Sequence, residues 1–180
     1  MTIAVEKFGE FEGKRVDQFR LTSDAGVEVD IINYGVAVRD WRVPVKGGVR
    51  SVVLGFDDFP AYASHSPHLG SIAGRVANRI GGASFEVDGV RYTLPANERT
   101  HTLHGGPEGL GRIVWAAEPD DARNAVTFTH LSPDGAMGFP GMSCGVGIAR
   151  SSEVSTSPNG RRRPWATEPW ALGWEPIGPG

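Results

Sequence analysis

Fold class is indicated most directly by the ten residues Phe85-Glu86-Val87-Asp88-Gly89-Val90-Arg91-Tyr92-Thr93-Leu94. β-branched and aromatic residues alternate with polar ones on both sides of the Asp88-Gly89 pair. An Asp-Gly pair between two such runs favours a two-residue turn, because both turn positions need a positive φ that Asp and Gly accept. The stretch therefore predicts an antiparallel β-hairpin.

Similar short runs fill the first two thirds of the chain, separated by Gly, Asp, Asn or Pro. Their partial alternation of apolar and polar residues is typical of antiparallel strands with one buried face. Helical periodicity is nearly absent, and the best short-helix candidate is 57–62, where an aspartate is placed to cap and Pro60 to occupy the first turn. Regular short strands predict an all-β, antiparallel β-sandwich. The other predicted strands are 16–21, 27–32, 36–43, 49–54, 113–118 and 125–130.

Composition limits the classes of partner and location. The net charge is −3 and the isoelectric point is about 5.9, so we expect no nucleic-acid partner and no attraction to an anionic membrane surface. No apolar run approaches the roughly 20 residues that a membrane-spanning helix needs. Cys144 is the single cysteine, which excludes an internal disulfide and favours a reducing, cytoplasmic setting.

The first motif whose side chains could bind a ligand or take part in a reaction is Gly-Arg-Val-Ala-Asn-Arg-Ile at 74–80. The guanidinium of Arg79 presents a rigid fork of donors, for which sugar hydroxyls and ring oxygens are good acceptors. The amide of Asn78 beside it offers both a donor and an acceptor. For an isolated Asn-Arg pair, the alternative is a surface arginine bound to a nearby carboxylate such as Glu86 or Asp88.

The second motif is Leu-His-Gly-Gly at 103–106. The imidazole of His104 titrates near neutral pH and can donate or accept a proton, which suits the ring opening of a hemiacetal. The two glycines permit a tight turn that leaves this ring clear of the backbone. A lone histidine would more often be a surface residue or a hydrogen-bonded core residue, so the motif around His104 carries the inference.

Taken in order along the chain, these motifs resemble the aldose 1-epimerase (galactose mutarotase) family. The Asp-Gly hairpin and Asn97 lie between them, and the turns Ser-Pro-Asp-Gly at 132–135 and Gly-Phe-Pro-Gly at 138–141 follow. The resemblance covers about residues 10–141. It implies a large antiparallel sandwich of the galactose mutarotase type, incomplete at its C-terminal end in this chain, with the sugar site in a groove on one sheet.

The resemblance also implies an activity and a set of site residues. Members interconvert the α and β anomers of aldoses such as galactose or glucose by acid–base ring opening, with no metal or organic cofactor. By position, Asn78, Arg79 and His104 would bind the substrate, and His104 would assist proton transfer as a catalytic residue.

Five further residues lie in or near these motifs or carry an imidazole, and none of them is assigned to the sugar site. Arg75 matches the family motif, and we expect it to be structural, either bridging loops or pairing with a carboxylate. Trp115 fits a family tryptophan whose expected role is core packing. His65 and His68 share a loop without further ligands at metal spacing, and His130 is expected at the surface near a strand end.

The character of the sequence changes after Gly141, which predicts two parts, 1–141 and 142–180. The second part holds a mixture of Arg, Pro, Gly and Trp, and no clean strand alternation continues beyond about Ile148. A reading-frame shift soon after Gly141 is the favoured hypothesis, and a natural disordered tail is the alternative. The family's second catalytic histidine, its sugar-binding aspartate and its late glutamate have no counterparts in the printed sequence, so we expect impaired activity.

Other functional classes stay open from the sequence alone. A non-catalytic carbohydrate-binding module would bind sugar through the same residues without accelerating anomer exchange. An epimerase for hexose 6-phosphates would need additional cationic side chains at the phosphate. A chain acting as half of a split protein would need a complementary piece for activity, and the oligomeric state is not determined.

Overall fold

The computed structural model of the protein describes residues 2–65 and 68–150. Short strands dominate these residues, and the segment Phe59–His65 forms the helix α1. No helix in this part of the chain is both long and apolar enough to cross a bilayer. The strands are β1 (Ala4–Phe11), β2 (Lys14–Thr22), β3 (Glu28–Ile32), β4 (Ala37–Val45), β5 (Gly48–Ser51), β6 (Arg79–Ile80), β7 (Ser84–Val87), β8 (Val90–Thr93), β9 (Thr102–Leu103), β10 (Ala116–Asp120), β11 (Ala125–Ser132) and β12 (Ser143–Arg150).

Neighbouring strands pair in an antiparallel sense throughout the described residues. A five-stranded sheet has the order β1-β2-β3-β4-β5, and a three-stranded sheet has the order β10-β11-β12. The pairs β6-β9 and β7-β8 form two small ribbons. The predicted hairpin is confirmed as β7-β8, with φ of 53° at Asp88 and 74° at Gly89.

The main core lies between the two larger sheets. Phe19 and Leu21 are two residues apart on β2 and share a face, as do Val126 and Phe128 on β11, and all four belong to one buried cluster. The rings of Phe19 and Phe128 meet edge to face, with centroids 5.6 Å apart. The predicted all-β antiparallel sandwich is therefore confirmed. Trp115 belongs to the same cluster, as expected for a core residue.

The opposite face of the five-stranded sheet carries a buried charge cluster around Asp30 on β3. The Asp30 carboxylate is fully buried and accepts hydrogen bonds from Arg20 Nε at 2.7 Å and Arg42 Nη2 at 3.1 Å. Arg39 Nη1 lies 3.5 Å from the same carboxylate. The hydrogen bond to Asp30 is the main reason why the pKa of Arg20 is raised. Three cations thus surround one buried anion, and one of them, Arg42, also pairs with Glu28 and Asp40.

Several element boundaries differ from the predictions. The predicted strand 49–54 ends at Ser51, and the predicted strand 113–118 begins at Ala116. Residues 113–115 pair instead with the segment 33–35 that follows β3. The predicted helix begins at Phe59 and extends to His65. Its capping aspartate is Asp58, whose Oδ1 accepts the N–H of Ala61 at 3.0 Å.

Two long strands were missed by sequence reasoning. Strand β1 is an edge strand whose residues are mostly exposed, so its sequence lacks the apolar alternation that identifies a half-buried strand. Strand β12 pairs with β11 along its whole length. The second sheet therefore continues past the expected boundary after Gly141, and of the expected tail 142–180 the part from residue 151 lies outside the described residues.

Candidate functional site

The two motifs singled out in the sequence lie side by side because β6 pairs with β9, with Arg79 opposite Leu103. The backbone N–H of His104 donates to the carbonyl oxygen of Asn78 at 3.0 Å. In return, the backbone N–H of Asn78 donates to Nδ1 of the His104 ring at 3.0 Å. The structure thus brings Asn78, Arg79 and His104 together at one exposed to half-buried surface.

The hydrogen bond from Asn78 fixes the tautomer of His104. Since Nδ1 accepts a hydrogen bond, the neutral imidazole carries its proton on Nε2. No side chain or backbone group among the described residues pairs with that Nε2–H. The ring is therefore held from one side and offers a single N–H donor on the other, which is the arrangement that a proton-transfer group needs.

The guanidinium of Arg79 is also held by neighbours. Nε donates to one oxygen of the Glu98 carboxylate, Nη2 donates to the other at 2.5 Å, and Nη1 donates to Oδ1 of Asn78 at 3.2 Å. The hydrogen bonds with Glu98 raise the pKa of Arg79 and lower the pKa of Glu98. Arg79 is thus an exposed arginine bound to a carboxylate, as the alternative for an isolated Asn-Arg pair expected, but the carboxylate is Glu98 rather than Glu86 or Asp88.

Glu98 reaches Arg79 because the turn that carries it is tightly organised. Its backbone N–H donates to the carbonyl of His101 at 3.1 Å, and the N–H of His101 donates back to the carbonyl of Glu98 at 2.9 Å. Asn97 closes the turn with its side chain, which accepts the N–H of Leu103 at 2.7 Å and donates to its carbonyl at 3.0 Å. Asn97 therefore supports the site without lying at it.

His68 is a second neighbour that sequence reasoning did not assign to the site. Its ring packs against His104 with centroids 4.6 Å apart. Burial is the main reason why the pKa of His68 is lowered, and electrostatic interactions with His104 and Arg112 act in the same direction. Because His68 is far from His104 in sequence, no spacing rule could have found this contact.

His65 and His68 are the two histidines nearest each other before the first motif. No group of three metal-ligating side chains occurs among the described residues. The side chain of His65 itself lies outside the described part of the structure.

Arg75 bridges loops, as expected from the sequence. Its Nε donates to Oγ of Ser132 at 3.0 Å, and its other nitrogens donate to the carbonyls of Ser132, Pro133, Pro140 and Gly141 at 2.6 to 3.1 Å. These acceptors belong to the two turns that follow β11. The guanidinium therefore ties the first motif to both turns and makes no contact with Asn78 or His104.

A cavity of about 170 Å³ lies beside Arg75 and is lined in part by His130 and Glu108. The expectation of a surface position for His130 is wrong, because β11 continues to Ser132 and His130 is half-buried within it. Its ring lies 5.6 Å from that of Trp115, and burial is the main reason why the pKa of His130 is lowered.

We expect the Arg75→Lys variant to be less stable by about 2 kcal/mol, because a lysine ammonium cannot reach acceptors in both turns. The measurement is urea unfolding of the full chain at pH 7. The matched control is Arg91→Lys on β8, where the guanidinium makes one exposed hydrogen bond, to Ser84 Oγ at 3.0 Å. Equal losses in the two variants would contradict the bridging role of Arg75.

The Leu-His-Gly-Gly turn explains why glycine follows His104. Gly105 has φ of 87°, and a Cβ placed there would overlap the carbonyl oxygen of Gly74. The turn of the second motif is therefore packed directly on the first motif.

We expect Gly105→Ala to lower the free energy of unfolding by about 3 kcal/mol, from backbone strain and overlap together. The control is Gly89→Ala in the hairpin turn, where φ is 74° and a Cβ would meet nothing within 4 Å. That control carries the strain alone, about 1 kcal/mol. The difference between the two variants in urea unfolding gives the cost of the overlap. Similar losses would contradict the tight packing of the second motif on the first.

Comparison with known proteins places these residues in a family segment. The family model described as Aldose 1-epimerase matches residues 17–143. A galactose mutarotase from Rattus norvegicus is 42% identical over 137 residues, which are 74% of this chain and 39% of that protein. An aldose 1-epimerase from Haemophilus influenzae is 36% identical over 72% of this chain and 37% of that protein.

A solved structure gives the same result for the fold. The aldose epimerase homologue from C. elegans matches with a TM-score of 0.71 at 27% identity, covering 76% of this chain and 42% of that one. The chain spans about two fifths of the length of the curated relatives it matches.

Proposed function

The chain belongs to the aldose 1-epimerase family, and on that premise we propose that it binds an aldose at Asn78, Arg79 and His104 and interconverts its α and β anomers. The observation that carries the proposal is the reciprocal pair of hydrogen bonds between Asn78 and His104. This pair places the imidazole of His104, the proposed proton-transfer group, next to the guanidinium of Arg79, the proposed donor to the sugar.

The reaction requires proton movement at two oxygens of the sugar. The anomeric hydroxyl loses its proton to a base while the ring oxygen gains one, so the bond between C1 and the ring oxygen breaks and an aldehyde forms. Rotation about C1–C2 and the reverse steps close the ring on the other face. His104 assists the protonation of the ring oxygen through its Nε2–H. The base that accepts the proton of the anomeric hydroxyl is not assigned to a described residue.

Substrate binding uses hydrogen bonds to the uncharged hydroxyl groups of the sugar. Arg79 donates to sugar hydroxyls through the nitrogens that Glu98 and Asn78 leave available, and the amide of Asn78 adds a further polar contact. A small-molecule aldose is the proposed partner. With a net charge of −3 we propose no nucleic-acid or membrane partner, and a single cysteine supports a cytoplasmic location.

Two measurements on the full chain test the proposal. Addition of D-galactose or D-glucose should shift the NMR signals of the His104 ring and the Arg79 side chain with saturation. Polarimetry of freshly dissolved α-D-galactose should show anomer exchange above the rate in buffer alone, at the impaired level expected from the sequence. Sugar binding without faster anomer exchange would indicate a non-catalytic carbohydrate-binding module. If neither sugar binds, the proposal is overturned.

A further inference from the structure

We propose that Glu98 is a positioning residue for sugar binding, which holds the guanidinium of Arg79 in its sugar-binding orientation. This inference deepens the proposed function and rests on it. Glu98 has no place in the motifs that indicated the site, since it lies in the turn between β8 and β9.

The contact between Glu98 and Arg79 fixes both the position and the plane of the guanidinium. Both oxygens of Glu98 accept hydrogen bonds, one from Nε and one from Nη2. A two-point contact of this kind defines an orientation, whereas a single contact would leave the group free to rotate. The third contact, from Nη1 to Asn78 Oδ1 at 3.2 Å, links the pair to the residue that holds His104.

The remaining donors are placed for a ligand. A guanidinium has five N–H groups, and the contacts with Glu98 and Asn78 use one on each of Nε, Nη1 and Nη2. One N–H on each of Nη1 and Nη2 is left, on a side chain that is 52% exposed. Sugar hydroxyls can accept these two without displacing Glu98.

The carboxylate itself is held by a rigid turn. Reciprocal backbone hydrogen bonds join Glu98 to His101, and the side chain of Asn97 clamps the same turn to Leu103. Arg79 lies on β6 and Leu103 on β9, which are paired. Glu98 and Arg79 are therefore set against each other by the backbone before any sugar arrives.

Preorganisation of this kind acts on affinity more than on stability. An exposed ion pair contributes little to folding, but an unrestrained arginine loses side-chain freedom when it binds a ligand. Restraint beforehand removes that cost, which corresponds to about 3- to 10-fold in affinity for one long side chain. We expect Glu98→Gln to weaken binding of D-galactose by this factor.

The Glu98→Gln variant keeps the length of the side chain but replaces one acceptor oxygen by an NH₂ group that faces the donors of Arg79. Kd for D-galactose is measured by NMR titration of the full chain, and thermal unfolding is measured alongside. The matched control is Glu86→Gln on β7, an exposed glutamate that loses the same charge. We expect the control to leave Kd unchanged and both variants to unfold at nearly the wild-type temperature.

A double-mutant cycle separates positioning from direct sugar contact. If Glu98 acts through Arg79, Glu98→Gln should have no further effect on Kd once Arg79→Ala is present. Additive losses would show that Glu98 touches the sugar itself and would overturn the positioning role. The Nε–H signal of Arg79 gives an independent signature, since it should exchange slowly in the sugar-free wild type and rapidly in Glu98→Gln.

The outcomes distinguish this inference from the proposed function. If Arg79→Ala weakens binding and Glu98→Gln does not, the role of Glu98 is overturned and the site stands. If Arg79→Ala has no effect on Kd, the assigned sugar site and the role of Glu98 fall together. Rapid exchange of the Arg79 Nε–H in the wild type would overturn the inference even where sugar binds.

Discussion

Replacing His104 with asparagine is expected to slow anomer exchange by about 100-fold or more, since one positioned acid–base group contributes about 10²- to 10⁴-fold. Asparagine is chosen because its Oδ1 can accept the N–H of Asn78 in place of Nδ1. It also tolerates the positive φ of 51° at this position. The variant therefore keeps the contact between the motifs and removes the proton-transfer group.

Polarimetry of α-D-galactose measures the rate, and NMR titration measures sugar affinity in the same variant. We expect Kd to change much less than the rate, because Arg79 and Asn78 remain. A His104→Gln variant places an amide NH₂ near the position of Nε2 and should retain more affinity but no catalysis. A catalysed rate within a few-fold of wild type in both variants would remove His104 from the mechanism.

Replacing Asp30 with asparagine is expected to lower the free energy of unfolding by about 3 kcal/mol, because removal of one partner of a buried ion cluster leaves uncompensated charge. The introduced amide would keep the shape of the side chain and remove its charge. Arg20, Arg39 and Arg42 would then face one another, since their guanidinium groups converge on this carboxylate. Partial exposure of the three arginines keeps the loss at the lower end of the range for buried pairs.

Urea unfolding at pH 7 measures this loss, with Asp24→Asn as the control. Asp24 lies exposed in the turn between β2 and β3, so its variant loses the same charge without leaving a buried cluster. We expect the control to lie within about 0.5 kcal/mol of wild type. A loss below about 1 kcal/mol in Asp30→Asn would contradict this, because it would show that the three arginine charges are stabilised without the Asp30 carboxylate.

Local signals in the sequence were sufficient for much of the fold. The Asp88-Gly89 turn, the strands β2, β3 and β11, and an aspartate cap for the short helix were predicted because each depends on residues close together in the chain. Strands without such signals were missed, notably β1, whose residues are mostly exposed. The surface position expected for His130 was wrong because distant segments, among them Trp115 and the loop at Arg75, cover it.

For the candidate site, the sequence indicated Asn78, Arg79 and His104 through their motifs, and their functional roles stay predictions. It also offered, as the alternative, a carboxylate bound to Arg79, but named Glu86 and Asp88 as examples because proximity along the chain was the available guide. The pairing of β6 with β9 brings Glu98 to that guanidinium instead.

The sequence by itself determined the fold class, the family segment and the chemical types available at the site. Tertiary structure alone decided which side chains meet: Glu98 with Arg79, His68 with His104, and three arginines with Asp30. The physical reason is that hairpin turns and alternation are set by a few neighbouring residues. Contacts between distant segments depend instead on strand register and sheet packing, which are fixed only when the whole core forms.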